Sequence, residues 1–206
     1  MNDTGFFIPK EVEEELIKLE EKARIEHIPI IQPEVAQFLK VMIKIKKPLR
    51  ILEVGTAIGY STTCMAYAAG KDVEIVTVEI DEDMAERAAK NFLKLGVSEQ
   101  INLKIGDALK VLPCLRREFD FVFIDAAKGQ YLNYLEMILE ILSQDGMIIA
   151  DNVLYKGYVA NKRSLKRKNI TMVRRLEEYI EVVSDHPILE SSVLELGDGL
   201  AISVRR

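Results

Sequence analysis

Residues 50–61 read "RILEVGTAIGYS". A short apolar run closed by glycine is the signature of a buried strand, and the "YSTTCMAYAAG" that follows reads as a helix ending at Gly70. The same alternation continues downstream. "EIVTVEI" predicts a second strand, and "DEDMAERAAKNFLKLG" a helix that opens on acids and stops at Gly96. Acids at a helix start and glycine at its end are what the helix dipole and the left-handed cap favour. "INLKIGDAL" and "FDFVFIDA" give two more strands, "YLNYLEMILEILSQDG" a helix, and "MIIADN" a fifth strand. Strand and helix thus alternate from residue 50 to 151, which predicts an α/β fold: a doubly wound, mainly parallel sheet with helices on both faces. "TMVRRLEEYIEVVSDHP" predicts a last helix. Two β-rich runs flank Gly197-Asp198-Gly199, a hairpin signal that implies one antiparallel strand at or near the sheet edge.

Ahead of this block, residues 10–26 and the residues from Pro33 to the break at Pro48 carry apolar side chains at helical spacing. The sheet does not need them, so residues 1–48 are expected to be a lid or subunit contact on a core of 49–206. The 206 residues form one domain on this reading. The net charge of −5 argues against indiscriminate coating of nucleic acid but leaves room for a local basic patch. Two cysteines and no CxxC argue against a disulfide framework or thiolate metal site and suit a reducing cytoplasm. With two histidines, any metal must be held mainly by oxygen. No apolar run approaches the ~20 residues that span a bilayer.

In a sheet of this kind ligands bind off the carboxyl ends of the strands, where the strand order reverses. Acids stand at those ends: Glu53, Glu79, Asp107, Asp125 and Asp151, the last followed by Asn152. Gly55 and Gly59 let the backbone turn tightly, which a plain strand–helix turn also requires. The spacing Glu53-x-Gly55-x-x-x-Gly59 is not the G-x-G-x-x-G of dinucleotide sites, which disfavours a nicotinamide oxidoreductase. Glu53 would repel a pyrophosphate and attract an amino group. Glu79 is placed to accept from ribose hydroxyls, and Asp107 from a purine amino group. An adenosine with an amino-acid tail, S-adenosylmethionine, fits all three.

Asp125, Asp151 and Asn152 supply three oxygen donors from two strand tips, a set suited to a hard cation such as magnesium. An isolated Asp-Asn pair is more commonly a turn or helix cap. Lys128 stands three residues after Asp125, and its ordinary fate would be a solvated surface position.

The motifs "LEVGTAIGYS", "VEID", "GDA", "FIDAAKGQY" and "DNVL", over roughly residues 27–204, resemble the class I S-adenosylmethionine-dependent methyltransferases. Among these the chain is most similar to the metal-dependent O-methyltransferases that include the catechol and caffeoyl-CoA enzymes. The resemblance implies a Rossmann-like seven-stranded sheet with one antiparallel strand. It implies cofactor contacts from Glu53, Gly55, Gly59, Ser61, Glu79, Asp107, Ala108 and Asp125. It also implies magnesium on Asp125, Asp151 and Asn152, Lys128 as general base beside Asp125, and a homodimer. A neutral Lys128 would take a hydroxyl proton, the cation would stabilise the oxyanion, and the oxyanion would attack the sulfonium methyl.

A catechol and 5-hydroxyuridine both offer the adjacent oxygens that a metal chelates. The wording of "MIKIKKPLRILEVGTAIGYS", "FIDAAKGQY" and "DNVLYKGYV" is similar to bacterial tRNA 5-hydroxyuridine methyltransferases, which act at the wobble position. Lys156, Lys162, Arg163, Lys166, Arg167, Lys168, Arg174 and Arg175 concentrate positive charge near the presumed site, which suits RNA phosphates or, equally, a solvated loop. Tyr131, Tyr134, Tyr155 and Tyr158 are candidates to stack on a splayed base, although tyrosines at helical spacing are more often core. The alternatives are a small catechol or hydroxycinnamoyl thioester acceptor, or an RNA- or partner-binding module that keeps the cofactor fold without turnover.

Overall fold

Seven strands lie in one sheet in the order β3-β2-β1-β4-β5-β7-β6 in a computed structural model that describes residues 8–155 and 170–206. β1 (Arg50–Val54), β2 (Glu74–Glu79), β3 (Ile101–Ile105), β4 (Phe119–Ile124) and β5 (Leu142–Asp151) are mutually parallel. β7 (Leu200–Arg205) runs antiparallel between β5 and β6 (Leu189–Leu194), so the single reversed strand sits one place in from the edge. This is the expected Rossmann-like architecture.

The strands' period of two sorts their side chains onto two faces. Ile51, Ile75, Phe121 and Ile149 pack with α1 (Lys10–Ile25), α2 (Pro33–Lys46), α3 (Tyr60–Ala69) and α4 (Glu82–Lys94). Leu52, Val76, Val122 and Ile148 pack with α5 (Ala108–Val111), α6 (Tyr131–Leu139) and α7 (Ile170–Asp185). Helices on both faces leave the central strands with no solvent-facing side, which is why they read as continuous apolar runs.

Two boundaries differ from the sequence reading. α6 ends at Leu139 and not at Gly146, because Leu142 is paired with Phe119 in the sheet. β5 therefore starts five residues earlier, and its surplus residues are taken up by a register shift opposite Phe119/Phe121 with Asp145 in the left-handed region (φ 59°). The third strand ends at Ile105, and the rest of "INLKIGDAL" turns into α5, capped by Asp107, whose Oδ1 accepts from Leu109 N (3.0 Å). The N-terminal helices form as read, with Pro33 in the first turn of α2. Among the described residues no helix is long and apolar enough to cross a membrane.

Candidate active site

The strand order reverses between β1 and β4, and the two strand tips meet there. Asp125 N donates to Val54 O (2.9 Å), and Gly55 N donates to Val78 O (3.0 Å). Gly55 has φ +102°, and a Cβ there would fall 2.1 Å from Asp125 O, so glycine is the residue this junction admits. A cavity of about 590 Å³ opens over the junction. Of the residues singled out in the sequence, Gly55, Ser61, Glu79, Asp107, Ala108, Asp125 and Lys128 line it. The linker between α1 and α2, from Glu26 to Ile31, covers one side.

Glu79 closes β2 and holds the glycine turn. Its Oε2 accepts from Thr56 N (3.1 Å) and Ala57 N (2.7 Å), its Oε1 from Asp81 N (2.9 Å). A carboxylate has about four acceptor positions, so one is left for a ligand hydroxyl.

Glu53, Gly59, Asp151 and Asn152 lie outside the lining. Glu53 is fully buried beneath the cavity, opposite Thr77 in the β1–β2 register. It accepts from Ser61 Oγ (2.5 Å), Thr77 Oγ1 (2.5 Å) and Thr62 Oγ1. Of these three partners, Ser61 lines the cavity. Burial pushes its carboxyl up to about 7 against the pull of those three hydroxyls. Gly59 begins α3 with φ +83°, and a Cβ there would meet the Phe92 ring at 2.4 Å, so its main service is the close seating of α3 on α4. Thr56, which lines the cavity, and its partner Thr77, which does not, have hydroxyls 2.5 Å apart, and the sequence reading picks out neither. The available signal was a threonine inside the apolar run "EIVTVE", since a buried hydroxyl needs a partner.

The second cluster forms at the tips of β4 and β5, where Ile124↔Ala150 is the last registered pair and Asp125 and Asp151 follow on neighbouring strands. Lys128 Nζ stands 3.6 Å from Asp125 Oδ1, with both side chains about one-fifth exposed. Asp151 is 1% exposed, and its Oδ1 accepts from Asn152 N (2.6 Å), with Asn152 in the left-handed region (φ 61°). Burial raises the Asp125 carboxyl, and Lys128 opposes it. Burial first, then the charge of Asp125, pushes Asp151 up to about 7. A buried acid whose ionisation a half-buried neighbouring acid disfavours, with an amide beside it, makes an oxygen donor set whose chemistry suits a divalent cation. Among the described residues no group of three or more His, Cys, Asp or Glu side chains gathers for a metal; this set has two acids and an amide.

Of the basic stretch, Lys156, Lys162, Arg163, Lys166, Arg167 and Lys168 lie outside the described residues, as does Tyr158. Arg175 lies within them. Its Nη1 donates to Gly129 O (2.5 Å), pinning the turn that carries Lys128. Arg174 pairs with Glu178 on its own helix. Tyr131 is core and Tyr134 is buried at the cavity wall.

The O-methyltransferase family profile matches residues 8–206. The chain is similar to a catechol O-methyltransferase of Niastella koreensis, 32% identical over 180 residues that cover 84% of this chain and 81% of the relative. It is 31% identical to caffeoyl-CoA O-methyltransferase 1 of Eucalyptus globulus over 176 residues, 82% of this chain and 72% of the relative. The crystal structure of an O-methyltransferase from Bacillus cereus in complex with SAH superposes with a TM-score of 0.84 at 28% identity, covering 97% of this chain and 93% of that one. With the family's profile spanning nearly the whole chain, this protein belongs to the S-adenosylmethionine-dependent O-methyltransferases of the caffeoyl-CoA and catechol type.

Proposed function

We propose that this enzyme methylates a hydroxyl that has a second oxygen beside it, and that its acceptor is 5-hydroxyuridine at the tRNA wobble position, giving 5-methoxyuridine. The observation that carries the reaction is the placement of Asp125, Asp151 and Lys128 together at the β4 and β5 tips, with Asp125 and Lys128 reaching the cavity wall. In this reading Gly55, Glu79, Asp107 and Ala108 seat the adenosine, while Ser61, held from below by Glu53, faces the amino-acid tail. S-adenosylmethionine supplies the electrophilic methyl; SAH, held by the Bacillus cereus relative, is what remains after its transfer. Asp125, Asp151 and Asn152 would hold a divalent cation, magnesium by the donor chemistry, which lowers the cost of an oxyanion on the acceptor. Lys128 takes the acceptor's hydroxyl proton at Nζ. The turn pinned by Arg175 keeps that amine in reach, and residues 26–31 wall one side of the cavity.

The tRNA acceptor is supported by the wording of "FIDAAKGQY" and "DNVLYKGYV" and by Arg175, a cation of the basic stretch that sits against the catalytic turn. The same reading makes the enzyme cytoplasmic, and we add a homodimer as its working form. A second reading, a small phenolic acceptor, is favoured by relatives named for catechol and caffeoyl-CoA.

The deciding experiment is a mass-spectrometric inventory of tRNA nucleosides with and without the protein, joined to transfer of labelled methyl into tRNA from cells lacking it. Incorporation that Asp125→Ala abolishes is expected. No incorporation, with a catechol turned over orders of magnitude faster, gives the second reading. Lys128→Ala is expected to lower kcat by about 10²–10⁴-fold while S-adenosylmethionine affinity holds, read by single-turnover kinetics and calorimetry.

A further inference from the structure

The β4–β5 ladder stops one residue short of the two acids. After Ile124↔Ala150, the chain at Asp125 sends its N–H to β1, to Val54 O, and turns away from β5. Asp151 stays paired with Leu200 of β7 on one flank, while on its other flank the ladder to β4 has ended. A side chain fills the gap. Tyr131, at the start of α6, is 1% exposed, and its hydroxyl donates to Asp151 O at 2.9 Å. The same hydroxyl lies 3.4 Å from Ile124 O, the residue before Asp125. One phenol therefore touches the main chain beside each acid. Its ring is held edge-on to Tyr179, centroids 5.5 Å apart and planes at 77°, so the hydroxyl has little freedom to swing.

We propose that Tyr131 is a positioning residue for the cation site: its hydroxyl replaces the missing ladder contact and fixes the main chain that aims Asp125 and Asp151. The inference rests on the cation reading above. Groups that orient metal ligands without touching the metal commonly change affinity by ~10–100-fold when removed. Tyr179 provides the matched control. It is fully buried, and its hydroxyl has no hydrogen-bond partner among the described residues.

The test uses the full chain and manganese(II) as probe, followed by electron paramagnetic resonance and calorimetry with no acceptor present. Tyr131→Phe is expected to weaken manganese binding about tenfold and to raise the magnesium concentration for half-maximal turnover in parallel. Turnover at saturating magnesium and the affinity for S-adenosylmethionine stay near wild type. Tyr179→Phe is expected to leave manganese binding unchanged. Tyr131→4-aminophenylalanine, which keeps a donor at the same place, is expected to restore most of the affinity, and it carries the test if the phenylalanine variant does not fold. Wild-type manganese affinity in Tyr131→Phe, even with a lowered melting temperature, would reduce Tyr131 to a core residue and overturn the proposal. So would a fall of the same size in Tyr179→Phe. Absence of manganese binding in the wild type, reproduced by Asp151→Ala, would instead remove the cation reading itself.

Discussion

Gly55 and Gly96 both hold a positive φ, yet they answer to different constraints. At Gly55 a methyl group would collide with Asp125 O, whereas at Gly96 (φ +68°) nothing lies within 4 Å. Gly96→Ala should therefore cost only the left-handed penalty of ~1–2 kcal/mol. Gly55→Ala should cost about 4 kcal/mol or more, in the range reserved for backbone collisions in a core, and should abolish cofactor binding; urea unfolding and calorimetry measure both. Glu53 gives a pH signature. Its carboxyl keeps a proton to about 7 in the fold, against an ordinary value of 4.5, so between those values the folded state binds more protons than the unfolded chain. Stability should fall as pH rises from about 4.5 to about 7 and then level off. Asp151, also raised to about 7, contributes in the same direction. Urea titrations across that window should show a shallower decline in Glu53→Gln, and an unchanged slope would refute the assignment. At this scale the strand-end acids were legible because a carboxylate after an apolar run has few structural excuses. The partners of Glu53 were not: which hydroxyls face it depends on β1–β2 register and on where α3 starts, neither of which spacing records.

The element that best separates stability from recognition is α5. Asp107 caps it and also faces the cavity. Asparagine caps as well as aspartate, whereas alanine at such positions costs ~1 kcal/mol. Asp107→Asn should keep the melting temperature and weaken S-adenosylmethionine binding, while Asp107→Ala should lose both. Equal affinity in Asp107→Asn and wild type would mean that the carboxylate serves only the helix. The existence and type of the longer elements were readable from period and punctuation, but α5 has four residues, too few to show a period. The end of α6 departs from the sequence pattern because "LEMILEIL" keeps helical spacing to Leu142. The competing claim on Leu142 comes from Phe119, more than twenty residues upstream, and a tertiary pairing overrides a local pattern.

Over the whole molecule, α1 is the lightest attachment. It buries only Leu16 and Ala23 and is tied to α4 by Glu15–Lys94 and Glu26–Arg87, exposed pairs of the kind that contribute little. Its end nevertheless leads into the Glu26–Ile31 wall of the cavity. Removing residues 1–25 should leave a cooperative unfolding transition and lower S-adenosylmethionine affinity at least ~tenfold, through the cost of ordering an untethered wall. Loss of the transition would show that the helix is part of the core. The alternating order of strands and helices was enough to foresee a doubly wound sheet, since parallel strands need crossovers that return over a face. The inward place of β7 has a further consequence. β7 zips along β5 from Met147 to Asp151, and the turn before it receives Val153 N and Leu154 N on Gly199 O and Asp198 O. During synthesis the flank of β5 stays bare until some fifty more residues have emerged from the ribosome. If Asp151 and Asn152 hold the proposed cation, a nascent chain can assemble its cofactor half early and still lack a settled Asp151-Asn152 corner, so competence for turnover should arrive abruptly, with the closing hairpin.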